Sequence, residues 1–243
     1  MPKYNFYATL LDAFEGYVNS SKTYQAYWGF AENPSKTEDE FEQEQLQNLI
    51  DRINRVPIIK SEAADKGTAF NEVVDCIIEH RTSKKMNIKS YPATNEIAVQ
   101  FGEFYYTFPM DLCIEFATYY KGALTQVYTE AILPTKYGDV KLYGYIDELM
   151  PFKTADIKTA KSYSAFKFRN NWQRLIYPYC LNQNGIMVNE FEFAVTDFKE
   201  SWSEVYQYEP ERDNPKLTAQ CERLIDFLEM HKSKLTDTKI FGN

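Results

Sequence analysis

Gly144-Tyr145-Ile146-Asp147, followed by Ala155-Asp156-Ile157-Lys158-Thr159 and then by Gln173 and Tyr177, is the stretch that decides how this chain reads. The β-branched and aromatic runs Val140 to Glu148 and Thr154 to Thr159 read as strands, with Met150-Pro151-Phe152 in the turn between them. Side chains alternate along a strand, so Asp156 and Lys158 share one face while Ile157 turns into the core. Gln173 and Tyr177, four residues apart on a helix, also share a face. A hard divalent cation takes oxygen ligands, and two strand carboxylates beside a lysine suit metal-assisted cleavage of a phosphodiester.

The elements around this stretch follow from periodicity and turn chemistry. Tyr4 to Ala26 reads as helical, and Ala31 to Lys36 as a turn. Glu38 to Arg55 is an amphipathic helix with Phe41, Leu46, Leu49, Ile50 and Ile53 as its apolar stripe, ended by Pro57. Ser61 to Arg81 is the next helix. Glu96 to Phe101 and Phe104 to Phe108, separated by Gly102-Glu103, make a hairpin. Met110 to Lys121 is a helix stopped by Gly122, and Leu124 to Leu133 is the first of three core antiparallel strands, turning at Tyr137-Gly138-Asp139. Phe166 to Asn182 is expected to be helical, Ile186 to Val195 a strand, and Pro215 to Lys234 a final amphipathic helix.

The expected organisation is one domain over 1–243. It has a helical N-terminal lobe (1–60), an α/β core (61–200) and a C-terminal helical segment (201–243). With 44% hydrophobic and 26% charged residues the chain has the balance of an ordinary globule. It has no apolar run of the roughly 18 residues that a membrane span needs. A cytoplasmic location without membrane partners is therefore expected. The net charge of −8 opposes nucleic-acid binding as a sum. Its distribution does not, because between Pro151 and Arg174 the charged residues are Lys153, Lys158, Lys161, Lys167, Arg169 and Arg174 against the single acid Asp156. Cys76, Cys113, Cys180 and Cys221 lie far apart, which gives no support to a zinc ribbon or a redox pair. There is no Walker loop and no Gly-x-Gly-x-x-Gly, which disfavours a nucleotide-driven motor.

Asp147, then Asp156-Ile157-Lys158, then Gln173 and Tyr177 resemble the PD-(D/E)xK nuclease superfamily, in particular its RecB-like exonuclease branch. That branch shows a Gly-x-x-Asp strand, an Asp-x-Lys-Thr strand and a helix with Gln-(x)3-Tyr. All three occur here in order, over the middle and later part of the chain.

The resemblance implies a restriction-endonuclease-like α+β core, a mixed central sheet flanked by helices. It also implies a Mg²⁺- or Mn²⁺-dependent deoxyribonuclease, most simply an exonuclease of DNA processing, recombination or repair, working with a helicase or recombination partner. Asp147, Asp156 and the Ile157 carbonyl would hold metal. Asn71 or Glu72 would complete the shell, because Asn71 stands where the branch carries a histidine four residues after a glycine, here Gly67. Lys158 would serve the nucleophile and the transition state, Gln173 and Tyr177 would position the lysine or touch DNA, and Glu130 would support the site. Lys161, Lys167, Arg169 and Arg174 would hold backbone phosphates.

The branch's iron–sulfur cluster is not expected, because its early cysteine and late trio are missing. The competing readings are a DNA-binding or recombination subunit with the same fold and weak or lost cleavage, and an unrelated phosphoester enzyme.

Overall fold

The computed structural model describes residues 1–57 and 61–242. Its framework is a mixed 6-stranded sheet. Helices pack on this sheet, and a 3-stranded sheet accompanies it. In chain order, β1 (Tyr4–Tyr7) leads directly into α1 (Ala8–Val18), followed by α2 (Ser20–Trp28), α3 (Glu38–Ile53) and α4 (Glu62–Ile78). The small antiparallel sheet is β2 (Asn87–Tyr91), β3 (Glu96–Phe101) and β4 (Phe104–Pro109). Then come α5 (Met110–Tyr119), β5 (Leu124–Leu133), β6 (Val140–Met150) and β7 (Phe152–Thr159). The chain finishes with α6 (Gln173–Gln183), β8 (Val188–Thr196), β9 (Ser201–Gln207) and α7 (Pro210–Met230).

In the main sheet β5, β6 and β7 run antiparallel in sequence, β7 pairs parallel with β8, and β1 pairs parallel with β6. The element ends follow local chemistry. Thr37 and Glu40 close a capping box on α3, and the Ser61 hydroxyl accepts from the Ala64 amide at the start of α4. Gly102, at φ +60, makes the β3–β4 turn without the steric cost a side chain would carry.

Two apolar cores result. One gathers α1, α6 and α7 on the main sheet, with Phe6, Leu142, Ile146, Ile176, Phe191 and Leu224 buried. The other packs α4 and α5 between the small sheet and Ala155, Ile157 and Ala194. The four cysteine thiols are each buried and unpaired with one another. Among the described residues no helix is long and apolar enough to cross a membrane.

Several expectations need correction. Tyr4–Tyr7 is a strand, not the start of a helix, because Tyr4 and Phe6 alternate into the core and the segment adds to the edge of β6. β2 was not foreseen, since its mostly exposed residues carry no burial pattern. The expected helix from Phe166 begins only at Gln173, and residues 160–172 form a loop. The segment 201–243 is not wholly helical, because β9 pairs with β8, and α7 begins at Pro210 rather than Pro215.

The edge strand β1 is the clearest test of this core. Phe6 is 0% exposed, so Phe6→Ala is expected to cost about 3–5 kcal/mol. Urea unfolding would read that loss, whereas a solvent-facing helix residue would cost far less.

Candidate active site

β6 and β7 pair only through Glu148↔Ala155, Leu149↔Thr154 and Met150↔Lys153. Beyond those pairs the strands part, β6 staying with β5 and β1 while β7 stays with β8. Asp147 and Asp156 are the next residue on each arm of this fork. Asp147 Oδ2 accepts from the Ile157 amide at 3.0 Å and so bridges the two arms. Asn71 Nδ2, from α4, donates to the same oxygen at 3.2 Å and reaches the Ile157 carbonyl at 3.5 Å. Gln126 Nε2 donates to Asp147 Oδ1 at 3.3 Å.

A second set of contacts joins the β7 arm to α6. Lys158 Nζ lies 2.6 Å from Asp156 Oδ2 and donates to Gln173 Oε1 at 2.8 Å. Gln173 Nε2 in turn donates to Asp156 Oδ1, and it lies 3.3 Å from the Tyr177 hydroxyl. The period of two on β7 and the spacing of four on α6 make this network, as the sequence implied.

Two close approaches position these elements. A Cβ on Gly67 would stand 2.8 Å from Thr159 Oγ1, so the missing side chain lets α4 settle on β7 and brings Asn71, one turn later, to Ile157. A Cβ on Gly144 would meet Tyr177 Cε1 at 2.6 Å, so the tyrosine ring rests directly on the β6 backbone.

The electrostatics are dominated by crowded acids. Burial, then repulsion from Asp156, pushes Asp147 up to about 8 despite Lys158. Burial works against the charge on Lys158, but Asp156 and Asp147 outweigh it and hold its pKa above the ordinary lysine value. Burial, then the Asp156 charge, also raises the Tyr177 hydroxyl.

Three acids here were not singled out from the sequence. Asp12 of α1 accepts from the Trp172 amide at 2.8 Å, at the N-terminus of α6 where negative charge is favoured. Burial raises its pKa to about 6, opposed by that amide and by Lys158. Asp75 and Glu148 are 1% and 0% exposed and face one another; burial and then the Glu72 charge raise Asp75 to about 7, and burial and then the Asp75 charge raise Glu148 to about 9. Asp75 lies four residues after Asn71 on α4, a spacing that could have drawn attention to it. Nothing local pointed to Asp12 or Glu148.

The remaining expected residues lie elsewhere. Glu72 is not with Asn71, because one helical step turns it away, and Arg81 Nη1 pairs with it at 2.7 Å. Glu130 is on the exposed side of β5, bonded by the Tyr128 hydroxyl and 3.4 Å from Lys141 Nζ, and does not reach Asp147. Lys161, Lys167 and Arg169 are exposed on the β7–α6 loop, where Lys167 Nζ donates to the Ser162 carbonyl. Arg174 donates to the Arg169 carbonyl at 2.7 Å and lies over the Tyr206 ring, which takes it toward β9.

Among the described residues no three His, Cys, Asp or Glu side chains form a metal-holding group. A cation here would have to draw on Asn71 and the Ile157 carbonyl as well as the two aspartates. The donor chemistry fits, being hard oxygen throughout. Asn71 Oδ1 is buried without a hydrogen-bond partner, and exchanging the two ends of the amide would turn that oxygen toward Asp147 and Ile157.

No protein-family model matches the chain, and no curated protein is similar to it. A solved structure described as "Crystal structure of SSO0001" is similar over 93% of this chain and 78% of its own, at 11% identity and a TM-score of 0.49. The fold itself is a mixed α/β arrangement with a mixed central sheet between helices.

The crowding of acids has a measurable consequence. A carboxyl raised from 3.8 to about 8 in the folded state holds its proton more tightly there than in the unfolded chain. Asp147 therefore favours folding at low pH, and that contribution is lost as pH climbs from about 4 through about 8. In EDTA, Asp147→Asn is expected to melt ~2–4 °C above wild type at pH 8.5, with a smaller gain at pH 5. Thermal melting at the two pH values checks this.

Proposed function

We propose that this chain is a divalent-metal-dependent deoxyribonuclease that hydrolyses phosphodiester bonds, an exonuclease in the simplest form of the reading. The observation that carries the proposal is the fork between β6 and β7. It brings Asp147, the Ile157 backbone and Asn71 together on one side of the Asp156–Lys158–Gln173 network.

Asp147, Asp156, the Ile157 carbonyl and Asn71 Oδ1 are the groups that would hold Mg²⁺ or Mn²⁺, which supplies charge neutralisation at the scissile phosphate and activation of water. The chain's own contribution is then largely positional and electrostatic. Lys158 is kept protonated by Asp156 and Asp147, so it presents a cation to the phosphate oxygens on which charge builds up. Gln173 accepts from Lys158 and donates to Asp156, which fixes the lysine's direction. Tyr177, seated on Gly144, closes the far side of Gln173. Asp12 holds the α6 N-terminus that carries Gln173. Lys161, Lys167 and Arg169, exposed on the adjoining loop, would hold backbone phosphates. A helicase or recombination partner belongs to the same reading.

One observation favours a second reading, a DNA-binding or recombination subunit with little cleavage. Asn71 donates its Nδ2 to Asp147 and to the Ile157 carbonyl, occupying the two groups that would hold the ion.

End-labelled linear and closed circular DNA, incubated with Mg²⁺, Mn²⁺ or EDTA, separates the two. Metal-dependent loss of the linear form is expected, with Lys158→Ala slower by about 10²–10³, the usual scale for removing one transition-state donor. DNA bound without cleavage under either metal would establish the second reading instead.

A further inference from the structure

On the outer face of β5 and β6, the chemistry above uses only Asp147 and Gln126. Tyr128 is 46% exposed and Tyr145 59%, on a sheet whose opposite face is buried core at Leu133, Val140 and Leu142. The two tyrosines are direct cross-strand partners with ring centroids 5.2 Å apart. Tyr143 lies two residues before Tyr145, and its ring is 5.8 Å from Tyr7 of β1 and 5.8 Å from Lys141 Nζ. Two adjoining grooves run along this face, of about 390 Å³ and about 290 Å³, and both are lined by Arg55 and Tyr143.

Gly144 and Tyr177 also line the first groove, and the Tyr177 hydroxyl lies 3.3 Å from Gln173 Nε2. Along β6, Tyr143 and Tyr145 step toward Asp147 in strides of two residues, about 6.6 Å each. On β5 the residue two beyond Tyr128 is Gln126, which donates to Asp147. Tyr143 and Tyr145 of β6, and Tyr128 with Gln126 of β5, thus lead toward the fork.

The charges along the grooves are Arg55, Lys141 and Lys239, with Glu130 and Asp237 beside them. Asp237 is paired with Arg55 at 3.1 Å, and Glu130 is held by Lys141 and the Tyr128 hydroxyl. Exposed Lys239 has no acid paired with it among the described residues. Aromatic rings interleaved with cations are the chemistry that binds single-stranded nucleic acid, with bases stacked on the rings and phosphates on the cations. A duplex keeps its bases stacked inside and has little use for the rings.

We propose that the β5–β6 face is a track for single-stranded DNA, which feeds one strand past Tyr128, Tyr145 and Tyr143 into the fork at Asp147. The strand's bases stack on the tyrosines, while Lys239, with no acid paired to it among the described residues, meets a phosphate. Arg55 and Lys141 reach phosphates only by leaving Asp237 and Glu130. The assignment rests on the nuclease reading for its substrate, but the groove itself can be tested without cleavage.

The test is fluorescence anisotropy in EDTA with a labelled oligothymidylate of about 20 nucleotides, against a duplex of equal length. Base–aromatic stacking sets the expected scale, and the double variant Tyr128→Ala/Tyr145→Ala is expected to bind the oligothymidylate about 10- to 100-fold more weakly. Tyr128→Phe/Tyr145→Phe keeps the rings and is expected to bind as wild type, which separates stacking from misfolding. The duplex is expected to respond to Lys239→Ala but little to loss of the rings.

Unchanged oligothymidylate affinity in the alanine variant overturns the track. So does an equal loss on duplex and single strand, or tighter binding of the matching oligouridylate RNA. If the alanine variant loses affinity as expected in a protein that cuts no DNA with Mg²⁺ or Mn²⁺, the track stands and the nuclease reading falls. If wild type degrades linear DNA and the variant binds normally, the track alone falls.

Discussion

The parting of β6 and β7 after Glu148↔Ala155 is the constraint from which the rest of the site follows. A continuous ladder would use the Ile157 amide for strand pairing and leave no space between the arms. Once the arms separate, that amide needs another acceptor, since a buried donor left unpaired costs about 1–3 kcal/mol. The Asp147 carboxylate takes that role, so the side chain that spans the fork is also one of its acids. The break in backbone pairing and the placement of the carboxylate are a single structural event.

Charge is the cost of this arrangement. Asp12, Asp147 and Asp156 lie around one embedded lysine, with Asp75 and Glu148 behind Asp147, and burial and neighbouring carboxylates raise Asp12, Asp75, Asp147 and Glu148 above ordinary acids. Asp75 and Glu148 carry buried oxygens without hydrogen-bond partners. Such a cluster is expensive as a purely structural element. The two glycines work on the same problem from the steric side. Gly67 admits α4 to β7 and Gly144 admits Tyr177 to β6, so both helices reach the fork without prising the sheet apart.

Much of the fold could be read along the chain. The strands around Asp147 and Asp156, the β3–β4 hairpin, α3, α4 and the core of α5 follow from alternation, helical spacing and turn residues that act over a few positions. The link from Asp156 and Lys158 to Gln173 and Tyr177 was readable for the same reason, since periods of two and four are local. Asn71 was reached only through a resemblance, and its contact with Asp147 joins residues 76 positions apart. Asp12 and Glu148 gave no local signal. Glu72 and Glu130 were near the right elements, yet one helical step and one strand face put them out of reach.

By itself, then, the sequence determined which residues share a strand face or a helix face and where most elements begin and end. Those properties depend on backbone geometry repeated every two or 3.6 residues. Tertiary structure alone decided that Tyr4–Tyr7 joins the sheet beside β6, that β6 and β7 part, that Asn71 and Glu148 lie at the parting, and that Asp12 meets the start of α6. Each of those outcomes is a competition among distant segments for hydrogen bonds and buried area, and no window of the chain contains both competitors.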